Sequence, residues 1–162
     1  MTKLTVFYTA DKNAQGKGNT RKIAEMVAKA AGTELFQLRQ VIPYSDDPNE
    51  WNKQSRLDME NDNRPELAEY PNNLEAIDEI YIGFPDYWGT APMPVFSFLQ
   101  KAGWEGKTIH PFVTHDGGGF GSAVEDIKRV CPGAKVTEGL EVLGRDVDGA
   151  EPTVIEWVKA EK

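Results

Sequence analysis

The chain has 162 residues, 40% of them hydrophobic, with 7 Phe, 5 Tyr and 4 Trp, which is enough to bury a real core in one domain spanning residues 1–162. A net charge of −8 opposes binding to nucleic acid or to an anionic membrane surface. One cysteine, Cys131, excludes an internal disulfide framework and a multi-cysteine metal site, and two histidines, His110 and His115, argue against a histidine metal centre.

No apolar run approaches the roughly 20 residues of a membrane-spanning helix. The opening residues lack the layout of a secretion signal, so a cytoplasmic protein is expected. Leu4-Thr5-Val6-Phe7-Tyr8 reads as a buried strand. After a polar, glycine-containing stretch, Ile23, Met26, Val27, Ala30 and Ala31 repeat at helical spacing, and Gly32 closes the helix. Leu35 to Leu38 is a second strand. Residues 41–73 hold four prolines and many charges, and a weakly periodic helix is expected from Pro48 to Asn61. Its expected roles are to cover the sheet edge or to form part of a partner surface.

Ile80 to Phe84 is the clearest central strand, and Val95, Phe96, Phe98, Leu99 and Ala102 mark a helix after it. Ile109 to Thr114 is a fourth strand, followed by a helix burying Ala123, Val124, Ile127, Val130 and Cys131. Gly139 to Leu143 is a fifth strand, and Val154, Ile155, Trp157 and Val158 belong to a final helix. Strands alternating with helices predict a parallel sheet covered on both faces, with ligands at the carboxyl ends of the strands.

Three loops at that end carry chemistry. The first runs from Thr9 to Thr20 and feeds a helix N-terminus, where backbone N–H groups and the positive dipole end attract an anion. Thr9, Asn19 and Thr20 add donors suited to phosphate oxygens. Gly16-Lys17 is followed by Gly18 rather than Ser or Thr, and residue 11 is Asp, so the loop is no Walker A motif. Arg21 stands where a dinucleotide fingerprint starting at Gly16 needs glycine. The second loop, Pro85-Asp86-Tyr87-Trp88-Gly89-Thr90-Ala91-Pro92, offers two aromatic rings to stack on a flat heterocycle. Gly89 lets the backbone approach that ligand closely, and Pro92 suits the first turn of the next helix. The third, Thr114-His115-Asp116-Gly117-Gly118-Gly119-Phe120-Gly121, can wrap a ring edge with its amides while His115 or Phe120 packs beside it. A phosphate cradle, an aromatic platform and a glycine-rich wall together suit a mononucleotide with a large flat ring.

These residues resemble the flavodoxin family over almost the whole chain. Thr9 and the run Gly18-Asn19-Thr20 match the family's phosphate loop. Gly83-Phe84-Pro85-Asp86-Tyr87-Trp88-Gly89-Thr90-Ala91-Pro92 and Thr114 to Gly121 are similar to the paired loops of a bacterial flavodoxin-like subgroup. Arg64-Pro65-Glu66-Leu67 and Pro132-Gly133-Ala134 also look like that subgroup. The chain departs from it in a longer phosphate loop, with Lys17 in place of a hydroxyl residue, Tyr87 in place of a first Trp and Gly118 in place of Ser.

The resemblance implies a doubly wound five-stranded sheet of order 2-1-3-4-5 and flavin mononucleotide (FMN) as cofactor. The implied contacts come from Thr9, Ala10, Lys17, Gly18, Asn19 and Thr20 at the phosphate. Pro85, Asp86, Tyr87, Trp88, Gly89, Thr114, His115, Asp116, Gly117, Gly119 and Phe120 would surround the ring. No residue is implied as an acid or base. The implied function is electron transfer with redox partner proteins, which the acidic surface would steer if they are basic. The protein is expected to be a monomer or homodimer. An FMN-dependent NAD(P)H oxidoreductase acting on quinones is the enzyme alternative, and a flavin-less binding module of the same fold is the other.

Overall fold

The computed structural model describes residues 2–9 and 18–161. Six strands form the sheet: β1 (Lys3–Phe7), β2 (Glu34–Gln37), β3 (Glu79–Pro85), β4 (Thr108–His115), β5 (Lys135–Val136) and β6 (Leu140–Leu143). The helices are α1 (Asn19–Ala31), α2 (Pro48–Glu60), α3 (Met93–Leu99), α4 (Ala123–Val130) and α5 (Glu151–Ala160). All strand pairs are parallel, in the order β2-β1-β3-β4-β5, with β6 also on β4.

The expected order 2-1-3-4-5 is therefore present, with the fifth strand divided. Ile109 pairs with Val136 and Phe112 with Leu140, so two residues of β4 face three of its neighbour, a one-residue bulge. Pro111 lies at the break, where its missing N–H forfeits no ladder bond. Gly139, at φ +80°, closes the bulge, since a Cβ there would stand 2.4 Å from the Pro111 carbonyl oxygen.

Alternation along β1, β3 and β4 sends side chains to both faces of the sheet. Val6, Ile80, Ile82, Phe84, Ile109 and Val113 pack in one cluster with Phe96, Phe98 and Leu99 of α3 and Ile127 of α4. Phe7, Tyr81 and Phe112 pack in the other with Ile23 and Val27 of α1 and Val154, Trp157 and Val158 of α5. Gly83 makes room for Phe112, whose ring occupies the space of a Cβ there.

Local chemistry sets the helix ends. Gly32 takes the left-handed conformation that closes α1. The Asp47 side chain accepts the Asn49 and Glu50 N–H groups, and Pro48 opens the first turn of α2. At α3 the expected role of Pro92 shifts by one position: Pro92 is the N-cap and Pro94 lies in the first turn. Beyond β2, the Val41 N–H bonds the Glu66 carbonyl and the Ala68 N–H the Arg39 carbonyl, tying both flanks of α2 together. Among the described residues no helix is long and apolar enough to cross a membrane.

Candidate functional site

A cleft of about 650 Å³ opens at the carboxyl ends of β1, β3 and β4. Strand order reverses between β1 and β3, so the cleft occupies the position where ligands settle in such sheets. Its size falls in the range of small-molecule sites.

One end of the cleft lies against the start of α1. Thr9 follows β1, and Gly18, Asn19 and Thr20 open α1. Gly18 is the N-cap and brings no side chain of its own to the helix start, which lines the cleft with its dipole's positive end. Behind it the Thr20 and Thr114 hydroxyls lie 2.8 Å apart, both buried, and join α1 to β4. Ala10 and Lys17, also expected here, lie outside the described residues.

The other end is aromatic. Tyr87 meets Trp51 of α2 edge to face at 4.9 Å, and both line the cleft. Tyr8 packs behind Tyr87 at 6.1 Å, with its hydroxyl donating to Gln40 Oε1. Burial pushes the Tyr8 and Tyr87 phenols far above their ordinary value, so both stay neutral, and among the described residues the buried Tyr87 hydroxyl has no hydrogen-bond partner.

Between the two ends lie Pro85, Asp86, Thr114, His115, Asp116, Gly117 and Gly118. Burial raises the Asp86 carboxyl above its ordinary value, while the Gly89 N–H and His115 pull the other way. His115 Nδ1 accepts from the Gly117 and Gly119 N–H groups, each at 3.0 Å, so the neutral ring carries its proton on Nε2. The Phe120 N–H goes to Glu141 Oε2. The amides of 117, 119 and 120 are therefore spent inside the loop rather than offered to a ring edge.

Residues 7–161 match the family profile described as flavodoxin. The chain belongs to the flavodoxin family. A protein of Bacteroides uniformis assigned as a flavoprotein is 25% identical, with 98% of this chain and 97% of that one covered and a TM-score of 0.82. A second such protein, from Bacteroides eggerthii, is 24% identical over 98% and 96% of the two chains, with a TM-score of 0.80. A Lactobacillus acidophilus flavoprotein, solved in complex with FMN, shares the fold at 16% identity, 91% and 97% coverage and a TM-score of 0.67. No curated protein matches the chain.

In this flavodoxin the sequence-predicted residues divide into two sets. Thr9, Gly18, Asn19, Thr20, Pro85, Asp86, Tyr87, Thr114, His115, Asp116 and Gly117 line the cleft. Trp88, Gly89, Gly119 and Phe120 stand outside that lining. Phe120 packs on Phe84 at 6.3 Å and belongs with the core. Gly89 donates its N–H to Asp86 Oδ1 and gives its carbonyl to the Ser122 N–H, which locks the second loop to the third. Asp126 strengthens that lock by accepting from the Thr90 and Ser122 hydroxyls.

Sequence reasoning missed two residues of the lining, Gly118 and Trp51. α2 is charged and weakly periodic, with Ser55 its one fully buried residue, so nothing in its pattern marks a ligand face. The available signal was a tryptophan one turn after an Asp-Pro helix start.

Proposed function

We propose that the cleft binds FMN and that the protein works as an electron-transfer flavoprotein. The observation that carries this reading is the convergence of a helix N-terminus and an aromatic wall on one cleft, at the switch point of a flavodoxin-like sheet. The flavoprotein of known FMN content among its structural relatives supports the choice of cofactor. The α1 N–H groups with Thr9, Asn19 and Thr20 would hold the phosphate, and Ala10 and Lys17 are proposed to join them on sequence grounds. Trp51 and Tyr87 would wall the ring, with Pro85, Asp86 and residues 114–118 along its edge. Bound there, FMN would supply one- and two-electron transfer. The chain's own part is to exclude water from the ring, to set the local charge through Asp86 and Asp116, and to attract basic redox partners to a surface of net charge −8.

Titration of the apo-protein with FMN, with riboflavin as control, tests this reading. Tight FMN and weak riboflavin binding are expected, since riboflavin lacks the phosphate. Equal and weak binding of both would overturn it in favour of a flavin-less module. Saturable NADH oxidation by the FMN-loaded protein with a quinone acceptor would replace the carrier with an oxidoreductase.

A further inference from the structure

Trp88 occupies a backbone position that works against it. Tyr87 and Thr90 exchange backbone hydrogen bonds of 3.0 and 3.1 Å, closing a two-residue turn. Its central residues, Trp88 and Gly89, have φ of +57° and +80°. That left-handed pair is the type I′ geometry, which favours Asn-Gly and penalises a bulky aromatic residue at its first position. Strain of this kind persists where the side chain has a task that repays it.

The side chain spends itself on α2. Its indole stacks on Trp51 at 6.4 Å with 27° between the rings. Its Nε1–H donates to the buried Ser55 Oγ at 3.0 Å, and the Ser55 hydroxyl donates to the Trp51 carbonyl at 2.8 Å. The Arg56 guanidinium covers the same ring at 5.9 Å. Trp51, Ser55 and Arg56 all reach Trp88 from α2, a helix whose side chains also bond the segment just before it through Tyr44–Asp58 and Ser45–Gln54 and whose Trp51 and Met59 pack against the core.

Trp88 is thus joined covalently to Tyr87, one aromatic wall of the cleft, and through α2 to Trp51, the other. We propose that Trp88 is a positioning residue for the flavin: by latching α2 to the turn after β3 it sets the spacing and tilt of the Trp51 and Tyr87 walls. This inference rests on reading the cleft as a flavin site.

Three variants test it. Trp88→Asn relieves the turn and removes the latch, Trp88→Phe keeps a ring but loses the N–H, and Ser55→Ala removes the same bond from the other side. Measured on each are the affinities for FMN and riboflavin, the visible absorption of bound flavin, and amide exchange across α2 in the apo-protein. Trp88→Asn is expected to weaken FMN and riboflavin by the same factor, roughly tenfold, because the phosphate end is untouched. It should also shift the flavin absorption and speed exchange in α2. Trp88→Phe and Ser55→Ala should each give a smaller loss, and the double variant should lose no more than either, since both break one bond. If Trp88→Asn fails to fold, those two decide. Wild-type FMN affinity and absorption in the folded variants would overturn the latch and leave the flavin site standing. Failure of the wild-type protein itself to bind FMN would overturn the flavin site.

Discussion

Both histidines of the chain lie on β4, five residues apart, and the two ends of that strand follow opposite rules. At the lower end His110 is fully buried and its ring nitrogens are spent on protein partners. Nε2 meets Glu79 Oε1 at 2.6 Å, while Nδ1 faces Thr137 Oγ1 at 3.2 Å and Glu161 Oε2 at 3.4 Å. Lys3 adds a cation at Glu79. At the upper end His115 organises its own loop, and the start of α1 and the Trp51–Tyr87 wall line the cleft. A buried polar network around His110 fixes the sheet to its last helix, while the opposite end of the strand opens onto the cleft.

The contrast extends to acid. Burial raises the Glu79 carboxyl, but its bonds to His110 and Lys3 outweigh that and hold it below the ordinary 4.5. Stability from this end is therefore present at neutral pH and is lost as pH falls below about 4.5 through the lowered value. Asp86 runs the other way. Burial dominates and lifts it above the ordinary 3.8, so the folded state holds this proton more tightly than the unfolded chain does. Its contribution falls as pH rises from about 3.8 through the raised value.

The largest effect is expected from His110→Ala, which leaves the Glu79 carboxylate buried without its main partner. Chemical denaturation should show a loss of about 3 kcal/mol, with FMN affinity unchanged. A coupled loss of affinity would show that the two ends of β4 are not independent. Next comes Trp51→Ala, expected to weaken FMN and riboflavin alike by about 2 kcal/mol in a fluorescence titration. Thr20→Val should cost FMN about 1 kcal/mol and riboflavin less, because the Thr20 hydroxyl stands at the phosphate end and reaches the ring edge only through Thr114. Equal losses would merge the two ends of the cleft into one unit. The smallest change belongs to Asp86→Asn. It should raise the midpoint potential of bound FMN by roughly tens of millivolts, as expected for removing one nearby negative charge. In the apo-protein it should also raise the thermal midpoint at neutral pH, and that gain should vanish below pH 4.

The frame of the molecule was legible because its strands are short apolar runs and its helices α1, α3, α4 and α5 carry clear apolar faces. The hydroxyl and glycine residues around α1 were marked by type alone, and Thr9, Gly18, Asn19 and Thr20 do line the cleft. Two things could not be read. The orientation of Trp88 depends on a left-handed turn whose sequence, Trp-Gly, is not the one that geometry prefers, so the ring points to α2 rather than to the cleft. The contribution of α2 depends on tertiary contact alone: a polar helix is placed over the cleft by Ser55 and Trp88, and Trp51 becomes a wall only there. The glycine-rich third loop misled for a related reason. Its amides were counted as available, whereas His115 and Glu141 consume them.

The divided last strand has a further consequence. An unbroken outer strand would present a straight row of unpaired amides on which a neighbouring molecule could extend the sheet. Here the outer edge is two residues, a kink at Gly139, and four more residues, with the charged Lys135 and Glu141 exposed along it. The same bulge that accommodates Pro111 denies a neighbouring copy a straight template along this edge of the sheet, whereas β2, at the opposite edge, is unbroken.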